Sequence, residues 1–210
     1  MKTKPLSIKK YIASFYLDTT ENCVALATIK ALLNIYTLEE IVQIESIGKY
    51  QSRITLRDGF TTNISTKEVL YCARQLKVRA NNKGPHKSSI DLLFAIIIKR
   101  LVIENGVLSF WNGRGIRAAN FALSRGESYD DGVKWLGIKG RKITENVIPK
   151  YQSVIGANSY NCFFISDNMY DRNGIATPID QIVPGFERIF LLGLNKEKPR
   201  KIRHTYVRYS

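Results

Sequence analysis

The stretch Asp18-Thr-Thr-Glu-Asn-Cys23-Val-Ala-Leu-Ala-Thr-Ile-Lys-Ala-Leu-Leu33 constrains the fold more than any other part of the chain. A polar run gives way, at a cysteine, to a segment in which Val24, Leu26, Ile29, Leu32, Leu33 and Tyr36 recur near helical spacing. The spacing predicts an amphipathic helix over residues 20–36 with Cys23 in its first turn. A helix N-terminus stabilises a thiolate, so Cys23 occupies a position that suits a nucleophile. Such a thiol also needs a base. The chain offers only His86, in a polar loop after Gly84-Pro85, and His204, in a basic tail, and neither has a catalytic context.

Helices come first along the chain and strands later. Arg53–Ile64 alternates on both sides of Asp58-Gly59, the strongest hairpin signal present. Ser65 and Glu68 have capping-box spacing before the apolar stripe Val69, Leu70, Ala73 and Leu76. A polar loop over Val78–Lys87 follows. Ser88 with Asp91 then opens the most hydrophobic helix, residues 89–104, which Gly106 ends. Residues 106–140 read as glycine-punctuated loops with a short helix near Ile116–Ser124. Asn161–Ile165 and Glu187–Leu194 read as strands, separated by a turn-rich segment from Asp167 to Gly185. This order predicts an α+β fold: N-terminal helices with a β-hairpin, then a C-terminal antiparallel sheet. Residues 18–195 form the expected single domain, between a basic N-terminal arm (1–17) and a basic C-terminal tail (196–210).

Charge narrows the partners. The net charge is +14, of which residues 1–10 hold +4 and residues 196–210 hold +5, leaving +5 for the remainder. Basic ends on a milder body reach for acidic partners, either protein neighbours or nucleic acid. In the tail, Lys198, Arg200, Lys201, Arg203 and Arg208 interleave with Tyr206 and Tyr209. Cations suit phosphates and aromatic rings suit bases, although the same alternation would dock on a protein surface. No helix-turn-helix, RRM or zinc-finger pattern marks a dedicated nucleic-acid reader.

Three cysteines, Cys23, Cys72 and Cys162, form no disulfide-framework spacing, which suggests reduced thiols and synthesis inside a cell. Tyr11–Leu17 is too short and runs too soon into polar residues to be a signal peptide, and the longest apolar run, Leu92–Ile98, falls far short of a membrane span. A soluble protein without membrane contact is expected. Cys72, within Leu70-Tyr-Cys-Ala73, and Cys162, beside Phe163-Phe164, read as packing residues. No Cys/His spacing supports a metal site, and no cofactor is expected. Asn112-Gly113-Arg114-Gly115 lacks the Lys-Ser/Thr of a phosphate-binding loop. The adjacent carboxylates Glu39-Glu40 and Asp130-Asp131 read as solvated surface.

Asn22-Cys23-Val-Ala-Leu-Ala-Thr-Ile-Lys-Ala-Leu resembles the nucleophile helix of papain-like cysteine peptidases, most nearly the calpain-like branch, in which a Gly-Asp-Cys-aromatic-Leu-Leu-Ala-Ala-Leu run opens the central helix. The resemblance implies a hairpin with a charged-Gly tip, for which Asp58-Gly59 is the counterpart. It also implies a His-Ala-Tyr motif opening a later strand, where this chain has Asn158-Ser159-Tyr160. The family's asparagine would fall on Asn195. Glu21-Asn22 replace the Gly-Asp, and Leu17 or Asp18 stands where the oxyanion-hole glutamine belongs. Asparagine at 158 can neither hold a thiolate as an ion pair nor protonate a leaving amine. Loss of the glutamine removes a further ~2.7–4 kcal/mol of transition-state stabilisation.

The expectation is therefore a non-enzymatic structural or scaffold protein, which the resemblance makes a pseudoenzyme on a degenerate papain-like domain. It would contact neighbouring proteins and copies of itself through its basic arms. A ring, collar or connector of a phage or virus virion, made in the host cytoplasm, is the setting envisaged. The alternatives are an active thiol peptidase using Cys23, His86 and Asn195, and a nucleic-acid-binding accessory protein that would otherwise be cytoplasmic.

Overall fold

The computed structural model describes residues 7–17, 22–81, 85, 87–104, 133–143, 153–157, 162–181 and 190–194. The architecture is α+β, as the order of sequence patterns predicts. The main helices are α1 (Ile8–Ile12), α2 (Cys23–Ile35), α3 (Leu38–Ile41), α4 (Thr66–Leu76) and α5 (Lys87–Glu104), with single helical turns at 133–135 and Ile179–Gln181. Eleven strands accompany them: β1 (Phe15–Leu17), β2 (Val42–Gly48), β3 (Gln51–Leu56), β4 (Thr61–Ser65), β5 (Val78–Ala80), β6 (Arg141–Ile143), β7 (Ser153–Ala157), β8 (Cys162–Ser166), β9 (Met169–Arg172), β10 (Ile175–Pro178) and β11 (Phe190–Leu194).

The strands make three sheets: the pair β1-β5, the three-stranded β2-β3-β4, and a six-stranded sheet ordered β10-β9-β8-β7-β11-β6. Every pairing is antiparallel. The expected hairpin around Asp58-Gly59 is β3–β4, with Gly59 at φ +93° in its tip. Val42, Ile54, Leu56 and Ile64 are buried on one face of this sheet, while Gln43, Thr55 and Asn63 lie on the other. The capping box of α4 is present: Ser65 Oγ accepts from the Glu68 N–H, and the Glu68 carboxylate accepts from the Ser65 N–H. Thr37 and Glu40 form a second one at α3, so Glu40 is a helix cap rather than a loose surface charge.

Three expectations need correction. The turn-rich reading of 167–185 misses a meander. Asp167 and Asn168, both at positive φ, turn β8 into β9, and Asn173-Gly174, also both positive, turn β9 into β10. Two consecutive residues at positive φ match the right-handed twist of hairpin strands, and Asn-Gly is the dipeptide that adopts them most cheaply. The polar loop at 78 begins with a strand, β5, which pairs with β1.

The third correction concerns the N-terminal arm. Tyr11, Ile12, Phe15 and Leu17 are all buried, so the chain is part of the domain from α1 onward. The basic residues Lys9 and Lys10 sit on a helix whose other face fills the core. Residues 8–17 are therefore not a free arm, while residues 1–6 lie outside the described residues, as do the tail 196–210 and the helix expected at 116–124.

Helix α2 is the centre of the molecule. It lies against β7 and β8 on one side and meets α5 and β1 on others. Every residue from Val24 to Leu32 is buried, so the helix is enclosed all round rather than amphipathic. This enclosure forces a charge inside. Lys30 is fully buried, and its Nζ donates to the Ile12 carbonyl at 2.9 Å and to the Asp171 carboxylate at 2.5 Å, 4.8 Å above the Phe15 ring. The Tyr11 hydroxyl donates to the Lys30 carbonyl at 2.7 Å. One buried cation thus joins α1, α2 and β9.

Candidate functional site

The residue singled out by sequence stands where the pattern puts it. Cys23 is the first residue of α2, partly buried against the core. Asn22 precedes it in the left-handed region (φ 64°, ψ 28°), with no side-chain cap bond. Its side-chain oxygen is buried and has no hydrogen-bond partner among the described residues. A non-glycine residue in this conformation costs on the order of 1 kcal/mol, and the neighbouring packing must hold it there.

The strand facing Cys23 is β8. Cross-strand partners Ile155 and Phe164 share the face turned to the helix core, and Cys162, two residues before Phe164, lies on that same face. The backbone N–H of Cys162 donates to Cys23 Sγ at 3.3 Å. Cys162 is 8% exposed and Cys72 0%. All three thiols are free.

Burial controls their chemistry. It pushes the Cys23 thiol above its ordinary value, against the N–H groups of Cys162, Val24 and Cys23, which favour the thiolate. Burial also pushes the Cys162 thiol well up, and the neighbouring Cys23 adds to the shift. Cys72 is pushed up to about 12 by burial and then by the Glu68 carboxylate, with Lys99 opposing. Cys72 is thus the packing residue expected from sequence. Cys162 is more than that, because its backbone N–H reaches the Cys23 sulfur from a different element, β8.

His86, Asn158 and Asn195 lie outside the described residues, as do Lys198, Arg200, Lys201, Arg203, Tyr206 and Arg208. The elements bring together Asn22, Cys23 and Cys162. Sequence reasoning took Cys162 for a packing residue only, because its contact with Cys23 spans 139 residues and leaves no local signal. Among the described residues no group of three or more His, Cys, Asp or Glu side chains could hold a metal ion. Nor is any described helix long and apolar enough to cross a membrane. No known family model matches the chain, and neither a curated protein nor a solved structure does so.

Proposed function

We propose that this chain is a non-catalytic structural protein, built on a degenerate papain-like scaffold, which takes its place in a larger assembly. The observation that carries the reading is the setting of Cys23, at the partly buried start of α2 against a strand N–H. A peptidase thiol must be a thiolate at neutral pH, and here burial raises it instead. The group described against its sulfur is the N–H of a strand, which can neither accept a proton nor return one to a leaving amine. The charge of +14, weighted toward the two ends, supports acidic neighbours as partners, including other copies of the chain. A virion ring or collar is the setting such a protein would suit.

The test is the pH dependence of Cys23 alkylation in the native chain, read peptide by peptide by mass spectrometry. Slow labelling that accelerates only above the ordinary thiol value of ~8.5 is expected. Rapid labelling with an apparent pKa well below that value overturns the reading and restores the thiol peptidase. Assembly is tested separately by light scattering on the full chain and on a chain lacking 196–210. Loss of oligomers with retained folding is expected, and unchanged assembly removes the tail from the proposal.

The same charge favours a second reading, binding to nucleic acid. Affinity for duplex DNA would then fall steeply with salt, by about one unit of log–log slope per phosphate neutralised. Salt-insensitive or absent binding excludes it.

A further inference from the structure

We propose that Cys23 and Cys162 are a dithiol pair which an oxidant closes to a disulfide, stapling the first residue of α2 to the first residue of β8. The inference is independent of the assembly reading. Residues 139 apart in sequence are brought together here, with Cys23 Sγ lying 3.3 Å from the Cys162 nitrogen. The Cys162 sulfur is joined to that nitrogen through its own Cα and Cβ, so the two sulfurs are parted by one residue's span and one hydrogen bond. Cys162 lies on the helix-facing side of β8, toward Cys23, and rotation about χ1 moves each sulfur between staggered wells. Two features separate this pair from a chance proximity. Both partners sit at element ends, where a small backbone adjustment is cheapest. And the third thiol, Cys72, is fully buried on α4, out of competition for an oxidant that enters from solvent.

The chemistry balances with hydrogen peroxide as the oxidant. Cys23, the more exposed thiol, loses its proton and attacks the peroxide. A sulfur–oxygen bond forms, the oxygen–oxygen bond breaks, and water leaves a sulfenic acid on Cys23. The Cys162 sulfur then gives up its proton and displaces the hydroxyl from that sulfenic acid. A sulfur–sulfur bond forms and a second water leaves. The two thiols have lost two electrons, and the peroxide has gained them. Because burial raises both thiols, the reaction is slow at neutral pH and quickens as pH rises.

The experiment treats the folded full chain with hydrogen peroxide, blocks remaining thiols, digests without reductant and maps the peptides. The expected product is intramolecular: one Cys23–Cys162 cross-linked peptide, a loss of two hydrogens from the intact mass, and reversal by dithiothreitol. The same bridge is expected in Cys72→Ser. Three results overturn the proposal: Cys23 oxidised to sulfinic acid with Cys162 still free, cross-links only between molecules, or a Cys23–Cys162 bridge that forms only in denaturant. No variant of either partner is needed, so a folding defect cannot blur the result.

Discussion

Asp171→Asn tests whether one buried ion pair holds the N-terminal segment, the central helix and the sheet together. In the native chain the Lys30 side chain is 0% exposed and that of Asp171 7%. The substitution keeps size and shape, and the Gly174 N–H that donates to Asp171 Oδ1 at 2.6 Å retains an oxygen acceptor. What it removes is the counter-charge to a fully buried ammonium, leaving Lys30 with the Ile12 carbonyl and the Phe15 ring. Removing one partner of a buried pair costs about 3–5 kcal/mol, because the remaining charge is stranded. For a chain of this size, each kcal/mol moves the melting temperature by about 2–4 °C, so the expected drop is roughly 6–20 °C.

The pH dependence has a definite sign. Burial already lowers the Lys30 pKa, and Asp171 pulls it back up, so the variant lowers it further. Between this lowered value and the unfolded ~10.4, the unfolded chain binds more protons than the native one, and stability rises with pH. The variant's deficit is therefore largest below the native-state pKa and shrinks as pH climbs toward 10. Lys30→Met in the Asp171→Asn background removes the stranded charge and should recover part of the loss. Urea unfolding of the single and double variants from neutral to alkaline pH measures all of this. A loss under about 1 kcal/mol, the scale of a solvent-exposed pair, with no change in pH profile, refutes the reasoning.

Three further substitutions probe how the hairpin and α4 are held. Gly137 has φ +69°, and a Cβ there would lie 2.7 Å from Asp58 Oδ1, the carboxylate that pairs with Arg100 at 2.6 Å through its other oxygen. Gly137→Ala should combine backbone strain of about 1 kcal/mol with a weakened Asp58–Arg100 contact. Thermal unfolding showing it as stable as the native chain would contradict that geometry. Ser65→Ala removes the N-cap of α4 and should cost about 1 kcal/mol, while Glu68→Ala should cost more, since Glu68 also accepts from Lys99 at 2.5 Å. Equal losses in urea would mean that the Lys99 contact contributes nothing.

Elements whose signal is local were legible in the sequence. The α4 capping box, the hairpin at Asp58-Gly59 and the apolar run of α5 each need only a few consecutive residues to be recognised. The meander β8–β9–β10 carried a local signal too, Asn173-Gly174, but Tyr170-Asp-Arg172 and Ala176-Thr-Pro178 look polar beside it. What was not legible depends on partners far along the chain. Basic residues around Tyr11–Leu17 suggested a free arm, yet Phe15 is buried beside Lys30, and that cation becomes tolerable only through Asp171, contributed 141 residues later. The role of Cys162 was hidden for the same reason. Nothing near it in sequence says that a helix starting at Cys23 ends up against its backbone.

The site shows why position alone does not make a nucleophile. A helix N-terminus favours a thiolate by about 0.3–1 kcal/mol, rising to ~2 in partly buried geometry. Each unit of pKa is worth 1.36 kcal/mol, and burial moves a charged group by as much as ~3–5 units. At Cys23 desolvation outweighs the three favourable N–H groups, and the thiol is pushed above its ordinary value. Among the described residues no cation acts on the Cys23 sulfur, and the structure indicates where one would act. Cys162→His places an imidazole on the residue whose backbone already touches the sulfur, on the side of β8 turned to the helix. Overpacking should cost about 1–3 kcal/mol. An imidazolium beside the sulfur should nonetheless lower the apparent pKa of Cys23 alkylation relative to the native chain, and Cys162→Phe, similarly large but neutral, should not lower it. If the two variants label Cys23 with the same pH dependence, then residue 162 does not face the thiol, and both the site and the dithiol pairing built on it are wrong.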